Sequence, residues 1–504
     1  MLSVFNEGAL PPVPASFNMA AYVLAAGART PGKTALEVLG EADTEQWTYE
    51  RLISAVRGTG TGLLRLGLVP GDRVLLRLGN TVDFPVACLG ALAAGLVPVP
   101  TSAALTEPEV AHCIAVTTPR AILCAPGVAC PPVTERTGLA TLRSFRDLPP
   151  VAWHMGDPHR PGYIVFTSGT SGMPRAVVHA HRAILGRRMM FDGWYGLTLQ
   201  DRMLHAGAFN WTYTLGTGLM DPWTLGATAL IAASGTTARA LPGLIARHKA
   251  SLFAAAPGVF RQMLQDGPTI AAPSLRHGLS AGEKLPARTA RAWKEATGTP
   301  LLEAYGMSEC STFISAAPAR HAHAGALGYP QPGRRIAVLG PEGPVPRGTE
   351  GTIAVHRSDP GLMLGYYGAP EATAARMQGE WFMTGDQGLM QHDGQIFYLG
   401  RNDDMMNAGG YRVSPVEVED VLSGCPGVRS VAVTDVEIKD DTRVIAAFYT
   451  ADAPLDEKGL EAYVSDRLAR YKQPRLYIHL PELPLGANGK ILRRALRDRM
   501  KAPK

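Results

Sequence analysis

Residues 163–175 read Tyr163-Ile-Val-Phe-Thr-Ser-Gly-Thr-Ser-Gly-Met-Pro-Arg175, an apolar strand that leads directly into a loop of hydroxyl groups and glycines. Glycines let backbone amides approach phosphate oxygens closely, and hydroxyl groups donate further hydrogen bonds. The Walker A spacing GxxxxGK[ST] is absent, which excludes a P-loop NTPase. A flexible Gly/Ser linker is the alternative, although linkers rarely begin at a buried strand. The stretch therefore predicts a polyphosphate-binding loop.

Strand-like and helix-like segments alternate on both sides of this loop through the first 400 residues. A strand at 73–78 precedes a helix at about 84–94, and a strand at 228–231 precedes a helix at about 238–248. This alternation favours α/β layers with mostly parallel sheets. It predicts an α/β fold whose large N-terminal domain, residues 1–400, consists of layered α/β subdomains.

The last hundred residues have a different pattern. Ser414-Pro-Val-Glu417 has the sequence of a capping box with proline at the first helical position, and strand-like runs follow it. The polar segment Gly400–Asp404 separates the two patterns. We therefore predict a small, mobile α+β C-terminal domain, residues 401–504, with a hinge near 401–404.

Composition narrows the class of protein. The net charge of +5 is spread along 504 residues, so nucleic acid is not an expected partner. Six cysteines lack CxxC or Cys/His ligand spacing, which argues for reduced thiols and against structural zinc. Prolines and glycines interrupt the uncharged stretch between Asp83 and Glu107, so we expect no membrane insertion. The N-terminus lacks the features of a secretory signal, which with the thiols favours a cytoplasmic location.

Five further motifs follow the phosphate loop in order along the chain. They are Tyr305-Gly-Met-Ser-Glu309, Thr384-Gly-Asp386, Gly400-Arg-Asn-Asp403, Gly409-Gly-Tyr-Arg412 and Asn488-Gly-Lys490. Each motif alone is weak, but together they resemble, over nearly the whole chain, the adenylate-forming (ANL) superfamily. That superfamily includes acyl-CoA and aryl-CoA synthetases, firefly luciferase and peptide-synthetase adenylation domains. The resemblance implies an AMP-forming acid–thiol ligase that uses ATP, Mg²⁺ and CoA.

The resemblance also implies roles for individual residues around the nucleotide. Tyr305 and Gly306 would contact adenine, Ser308 the α-phosphate, and Glu309 the Mg²⁺ ion. Asp386 and Arg401 would contact the ribose, and Lys490 would neutralise the α-phosphate and the attacking carboxylate during catalysis. The phosphate loop would contribute Thr167, Ser168, Gly169, Thr170, Ser171, Gly172 and Arg175.

The acid pocket is expected in two segments, 205–216 and 280–284, which resemble those of benzoate and medium-chain acyl-CoA ligases. The aromatic side chains there suit a ring or a short chain as substrate. Adenylation domains that take amino acids use an aspartate to pair with the substrate amine, and Asn210 cannot supply that charge. Asn210 could instead bond an ortho hydroxyl or amino group of an aryl acid. The implied acid-binding residues are Phe209, Asn210, Trp211, Tyr213 and Ala281. Gly282, Glu283 and Lys284 would form the adenine edge.

The same resemblance implies two half-reactions in one site. A carboxylate and Mg·ATP give acyl-AMP, and a thiol that enters past Gly409 and Gly410 then displaces AMP. The C-terminal domain would rotate about Asp403 between the two steps.

Four positions depart from the usual family pattern: Arg175 and Asn407 replace lysines, Ala176 a glycine, and Ser308 a threonine. Arg175 keeps its charge but offers a planar fork, so its grip on pyrophosphate should differ in geometry. Asn407 places any role of the usual lysine in doubt.

Three alternatives stay open at this point. A separate carrier protein could present the thiol in place of CoA, the chain could be a non-catalytic nucleotide-binding homologue, or it could be a luciferase-like oxygenase. The sequence also leaves open whether the protein forms a homodimer.

Overall fold

The computed structural model describes residues 1–40, 43–132, 136–167, 174–265, 267, 269–402, 404–408, 411–439, 442–486 and 491–501. Its largest sheet has a parallel half and an antiparallel half. The parallel half contains Thr34–Leu39, Arg202–His205, Thr228–Ala232, Leu252–Ala255, His277–Ala281 and Leu301–Met307, with Thr44–Thr48 antiparallel at its edge.

The antiparallel half follows the last of these strands. Its members are Ser311–Ser315, Ala326–Pro330, Ile336–Gly340, Glu350–His356, Trp381–Met390 and Ile396–Arg401, with the short strands Val4–Phe5, Gly343–Pro344 and Met377–Gln378. The expectation of mostly parallel sheets is therefore wrong for residues 311–401. Connections of at most ten residues join four of the five consecutive pairs of main strands, whereas parallel neighbours need a long crossover, usually a helix.

Two smaller sheets complete the first 400 residues. One is parallel and contains Arg73–Arg77, Val97–Pro100, Ala121–Cys124 and Arg136–Gly138. The other is antiparallel and contains Pro161–Phe166, Ala176–Ala180 and Gly365–Tyr366. The strand that leads into the phosphate loop thus pairs with the strand that leaves it.

Helices cover both kinds of sheet. Tyr49–Arg65 begins where the Thr48 side chain accepts from the Arg51 amide, and it buries Leu52, Val56 and Leu63. The other α-helices before residue 400 are Met19–Leu24, Asp83–Ala93, Glu107–Thr117, Leu139–Ser144, Ala183–Arg187, Thr212–Leu215, Asp221–Leu225, Leu241–Arg247, Pro257–Met263, Ala287–Thr297 and Pro370–Ala374. Shorter helical turns occupy Gly27–Arg29, Phe145–Asp147, Phe191–Tyr195, Gly216–Met220 and Ala238–Ala240.

The uncharged stretch forms an internal helix. Every residue of Asp83–Ala93 is buried, and the Asp83 carboxylate pairs with Arg143 at 2.9 Å and with Arg146. Within the described residues, no helix is both long and apolar enough to cross a membrane.

Residues after 404 build their own hydrophobic clusters. Ser430–Lys439 pairs antiparallel with Thr442–Thr450, which pairs parallel with Leu476–His479, and the hairpin Met406–Ala408 and Tyr411–Val413 precedes them. The helices are Pro415–Ser423, Glu457–Ser465 and Arg493–Lys501, with a 3₁₀ turn at Arg470–Lys472. The predicted helix start is confirmed, because Ser414 Oγ accepts from the Glu417 amide at 3.3 Å. The Glu417 carboxylate itself accepts from Lys472 at 2.6 Å.

Candidate active site

Two hydrogen bonds join the residues at the two ends of the phosphate loop. The Thr167 amide donates to the Arg175 carbonyl at 2.9 Å, and the Arg175 amide donates to Thr167 Oγ1 at 3.0 Å. Both residues therefore face each other across the loop, as a ligand-binding turn between paired strands requires. Of the other residues assigned to this loop, Ser168, Gly169, Thr170, Ser171 and Gly172 lie outside the described residues.

A hairpin carries the motif Tyr305–Glu309. It joins the strands Leu301–Met307 and Ser311–Ser315, whose register shifts between Tyr305 and Gly306. A Cβ on Gly306 would lie 2.1 Å from the Ser311 carbonyl oxygen, so only glycine allows the two strands to approach this closely. The tip of the hairpin then holds Ser308 and Glu309.

Three residues expected at the adenine and ribose lie together. The Tyr305 hydroxyl donates to Asp386 Oδ2 at 2.5 Å, and Arg401 Nε lies 3.7 Å from Asp386 Oδ1. Asp386 and Arg401 are cross-strand partners, and Asp386 is only 7% exposed. Burial, and then the neighbouring Asp386 carboxylate, raise the pKa of Tyr305 well above its usual value, so its hydroxyl remains a donor.

Two residues that the sequence did not single out hold the hairpin tip. His179 Nε2 lies 2.7 Å from the Ser308 carbonyl and must donate to it. The Tyr366 hydroxyl donates to Glu309 Oε1 at 2.7 Å. Burial lowers the pKa of His179 to about 4, so the ring stays neutral near pH 7. His179 does lie on the strand that leaves the phosphate loop, and this position is the one sequence signal that could have found it.

The adenine-edge segment makes mostly internal contacts. Gly282 has φ +104°, and a Cβ there would lie 2.9 Å from Trp211 Cη2. Glu283 Oε1 accepts from the Gly258 amide at 3.2 Å. Lys284 donates to the Gly325 carbonyl at 2.8 Å and lies 3.9 Å from Glu303 Oε2. The backbone of Gly282 and the ring of Trp211 are thus the points where the two acid-pocket segments meet.

The aromatic residues of the acid segment differ in accessibility. Phe209 is 3% exposed and packs against Phe84, with ring centroids 5.1 Å apart. Tyr213 is buried, and its hydroxyl donates to the Leu279 carbonyl at 3.1 Å. Asn210 and Trp211 are half-buried, whereas Ala281 is buried. Among these residues, Asn210 and Trp211 are the two that a ligand can reach, and Phe209 belongs to the core.

A buried ion pair, also missed from the sequence, lies behind the acid segment. Arg187 Nη2 lies 2.6 Å from Asp221 Oδ2, and the two side chains are 4% and 0% exposed. Arg187 Nη1 also donates to the Thr212 carbonyl at 3.2 Å and to Ser311 Oγ. One guanidinium therefore joins the acid segment to the base of the hairpin.

The donor chemistry at the hairpin tip fits Mg²⁺. This ion prefers oxygen ligands and is usually held by one or two carboxylates together with substrate phosphates. Glu309 supplies a buried carboxylate close to the phosphate-loop strand. The described residues contain no group of three His, Cys, Asp or Glu side chains that could hold a metal ion by themselves. The arrangement suits an ion that arrives with the nucleotide.

The acceptor side and the hinge are described only in part. Lys490, Gly409, Gly410 and Asp403 lie outside the described residues. Asp404, the residue after the expected hinge, lies 3.7 Å from both Arg493 and Arg497.

The chain is similar to proteins of known family. The sequence matches the family described as AMP-binding enzyme over residues 23–367 and its C-terminal domain over residues 417–490. It is 32% identical to the benzoate–CoA ligase of Thauera aromatica over 484 residues, or 90% of this chain and 91% of that protein.

Two solved structures are similar over almost their full length. The ATP-bound MatB of Rhodopseudomonas palustris superposes with a TM-score of 0.87 at 26% identity, covering 96% of this chain and 99% of that one. A benzoate–CoA ligase from Burkholderia xenovorans superposes with a TM-score of 0.85 at 29% identity, covering 95% and 100%. The two family matches include the hairpin, both acid segments and the helix Glu457–Ser465. The chain therefore belongs to the AMP-binding enzyme family.

Proposed function

We propose that the protein activates an aryl carboxylate as its acyl adenylate and transfers the acyl group to CoA. An AMP-forming ligase that uses ATP is what the family and its CoA-ligase members support. The observation that carries the proposal is the hairpin of Tyr305–Glu309. Its Tyr305 hydrogen-bonds Asp386, and its tip holds the buried Glu309 carboxylate; we assign these residues to the nucleoside and to Mg²⁺.

In the first half-reaction, a carboxylate oxygen attacks the α-phosphorus and pyrophosphate leaves. Tyr305, Asp386 and Arg401 would orient the nucleoside, while Arg175 and Thr167 would bind the departing phosphates. Glu309 would hold Mg²⁺, which supplies positive charge to the phosphate oxygens. Lys490 is the proposed catalytic cation, because attack by one anion on another needs a positive group in a site with little water.

In the second half-reaction, the CoA thiol attacks the acyl carbon and AMP leaves. We propose that residues 401–504 rotate about Asp403 between the steps, and that Gly409 and Gly410 then line the thiol's path. The ion pairs of Asp404 with Arg493 and Arg497 support this pivot, because they attach the residue after the hinge to the C-terminal helix.

The half-buried Trp211 ring supports an aryl substrate, since a flat apolar ring packs well against a flat acid. Asn210 beside it can donate and accept hydrogen bonds, which supports recognition of an ortho hydroxyl or amino group. Equal affinity for benzoate, salicylate and anthranilate would contradict that role of Asn210. All six cysteines are free thiols, which supports the cytoplasmic location that we also propose.

The decisive experiment is a panel of carboxylic acids scored for AMP release with and without CoA, using the wild-type protein and Lys490→Ala. We expect Lys490→Ala to lower ATP–pyrophosphate exchange about 10²- to 10³-fold, the usual cost of removing one electrostatic contact to a transition state. Supplied acyl-AMP should still react with CoA. Lys294→Ala, which removes an exposed lysine from the helix Ala287–Thr297, is the control. No exchange and no AMP release by the wild-type protein with any acid would indicate a non-catalytic nucleotide-binding protein. Unchanged exchange in Lys490→Ala would contradict the catalytic role of Lys490.

A second variant tests the hinge. Asp403→Pro restricts backbone rotation at the proposed pivot. We expect it to preserve adenylate formation and to slow thioester formation, measured as the two half-reactions separately. Equal loss of both rates would contradict a pivot at this residue.

A further inference from the structure

Tyr366 lies between the phosphate-loop strand and the hairpin tip. Its ring is buried, and its hydroxyl donates to Glu309 Oε1 at 2.7 Å. A phenol has one O–H to donate, and this one points at the Glu309 carboxylate. One oxygen of that carboxylate therefore has a hydrogen-bond donor in this structure.

The backbone fixes where this hydroxyl can lie. Gly365–Tyr366 is a two-residue strand that pairs with Val178 and Val177, on the strand that leaves the phosphate loop. The Tyr366 amide also donates to Thr373 Oγ1 at 2.9 Å. Because these bonds immobilise the backbone on both sides of the ring, the Glu309 carboxylate is oriented relative to the phosphate loop.

Arg175 contacts the same tyrosine. Its guanidinium carbon lies 5.2 Å from the centre of the Tyr366 ring. A planar guanidinium can stack on an aromatic ring, whereas a lysine ammonium is a compact point charge. The arginine that replaces the usual lysine at position 175 thus has an aromatic partner, Tyr366, in this structure.

We propose that Tyr366 is a positioning residue for the metal-holding carboxylate of Glu309, and that Arg175 links this pair to the phosphate loop. This inference rests on the proposed function, because it assigns Glu309 to Mg²⁺. In this role Tyr366 would act through the Glu309 carboxylate, which its hydroxyl contacts, and would not itself bind the ion. It orients the carboxylate so that its second oxygen is ready to bind the ion when Mg·ATP arrives.

The test is the Mg²⁺ dependence of ATP binding in Tyr366→Phe, measured by titration calorimetry without a carboxylic acid so that no turnover occurs. Phenylalanine keeps the ring and removes only the hydroxyl. We expect the Mg²⁺ concentration for half-maximal enhancement of ATP affinity to rise about tenfold, the lower end of what losing a hydrogen bond to a metal ligand costs. ATP affinity in EDTA should equal that of the wild-type protein.

Tyr367→Phe is the matched control, because the neighbouring Tyr367 is half-buried and its ring lies against Arg73 on the other side of the strand. We expect it to leave the Mg²⁺ dependence unchanged. A wild-type Mg²⁺ dependence in Tyr366→Phe would overturn the proposal. Glu309→Gln tests the Mg²⁺ role of Glu309 separately from the positioning role of Tyr366. If this variant keeps the wild-type Mg²⁺ response, the assignment of Glu309 fails and the proposed function must be revised.

A double-mutant cycle tests the link to Arg175. Arg175→Lys, Tyr366→Phe and the double variant are titrated in the same way. If Arg175 acts through Tyr366, the double variant should show a smaller shift than the product of the two single shifts. Multiplicative shifts would overturn the link to Arg175.

Discussion

The residues that we assign to the nucleotide, 305–309 with Asp386 and Arg401, are held in place differently from those that we assign to the acid, 205–216. We call the two sets the nucleotide side and the acid side. On the nucleotide side, side chains bond to side chains from distant parts of the chain, as Tyr305 does to Asp386 and Tyr366 does to Glu309. On the acid side, the buried Tyr213 hydroxyl bonds to backbone, and packing decides the shape. The nucleotide side should therefore be sensitive to single polar atoms and the acid side to changes in volume.

Arg187 belongs to both sides, so its replacement should have the largest effect. Arg187→Met leaves the Asp221 carboxylate fully buried without its cation. Breaking one partner of a buried pair costs about 3–5 kcal/mol, and we expect that loss in the free energy of unfolding measured with urea. Arg188→Met, at the exposed neighbouring position, should cost about 1 kcal/mol or less, since it removes only a stacking contact on Phe191. A loss under about 1 kcal/mol in Arg187→Met would refute the joining role.

Acidification should weaken both sides, because each contains a buried neutral histidine. Burial lowers the pKa of His179 on the nucleotide side to about 4 and that of His205 on the acid side to about 3. In the unfolded chain histidine titrates near 6.5, so below that pH the unfolded state binds more protons. Stability should therefore be fully present above about pH 6.5 and fall as the pH drops towards 4, by about 2 kcal/mol per histidine at pH 5.

The slope of stability against pH is the measurement. We expect His179→Gln and His205→Gln each to flatten it by about 1.2 kcal/mol per pH unit between pH 6 and 5, whatever their stability at pH 7. A slope equal to that of the wild-type protein would show that the replaced ring does not remain neutral in the folded state.

Asp386→Asn addresses the nucleotide side alone. Asparagine still offers an oxygen to Tyr305 but loses the charge that strengthens bonds to ribose hydroxyls. We expect kcat/KM for ATP to fall about tenfold with little change in KM for the acid. Asp393→Asn, in an exposed turn, should match the wild-type kinetics. A change confined to the acid's KM would contradict the ribose role.

The sequence predicted the residues of the nucleotide side better than the contacts that hold those residues in place. The family, the fold class and the class of reaction that it predicted are confirmed. Tyr305, Asp386 and Arg401 could be named because each lies in a short motif, and the structure brings them together. The roles of these three residues stay predictions, as do those of Lys490, Asp403 and the glycines at 409 and 410.

The supporting contacts could not be predicted, because they join residues far apart in the chain. His179 and Ser308 are 129 positions apart, and Arg187 and Ser311 are 124 apart. They meet only because separate elements pack together: His179 and the Ser308 hairpin belong to different sheets, and Arg187 lies on a helix. On the acid side, aromatic composition could not distinguish the buried Phe209 from the half-buried Trp211, because Phe209 is buried by contact with Phe84, which is distant in the sequence.

The smallest effect should come from Gly282→Ala, which tests the acid side by volume alone. At φ +104° the new Cβ would lie 2.9 Å from Trp211 Cη2, so the indole ring must shift. Gly298→Ala is the control for Gly282→Ala. Gly298 also has a positive φ, +73°, but no atom lies within 4 Å of the Cβ that alanine would add there. Both variants should lose about 1 kcal/mol of stability from the positive φ. Only Gly282→Ala should change selectivity, lowering kcat/KM for benzoate relative to hexanoate by about threefold, well within the effect of a methylene-sized change in a pocket. Because the strain is common to both variants, an equal change in this ratio would mean that Trp211 does not shape the acid pocket.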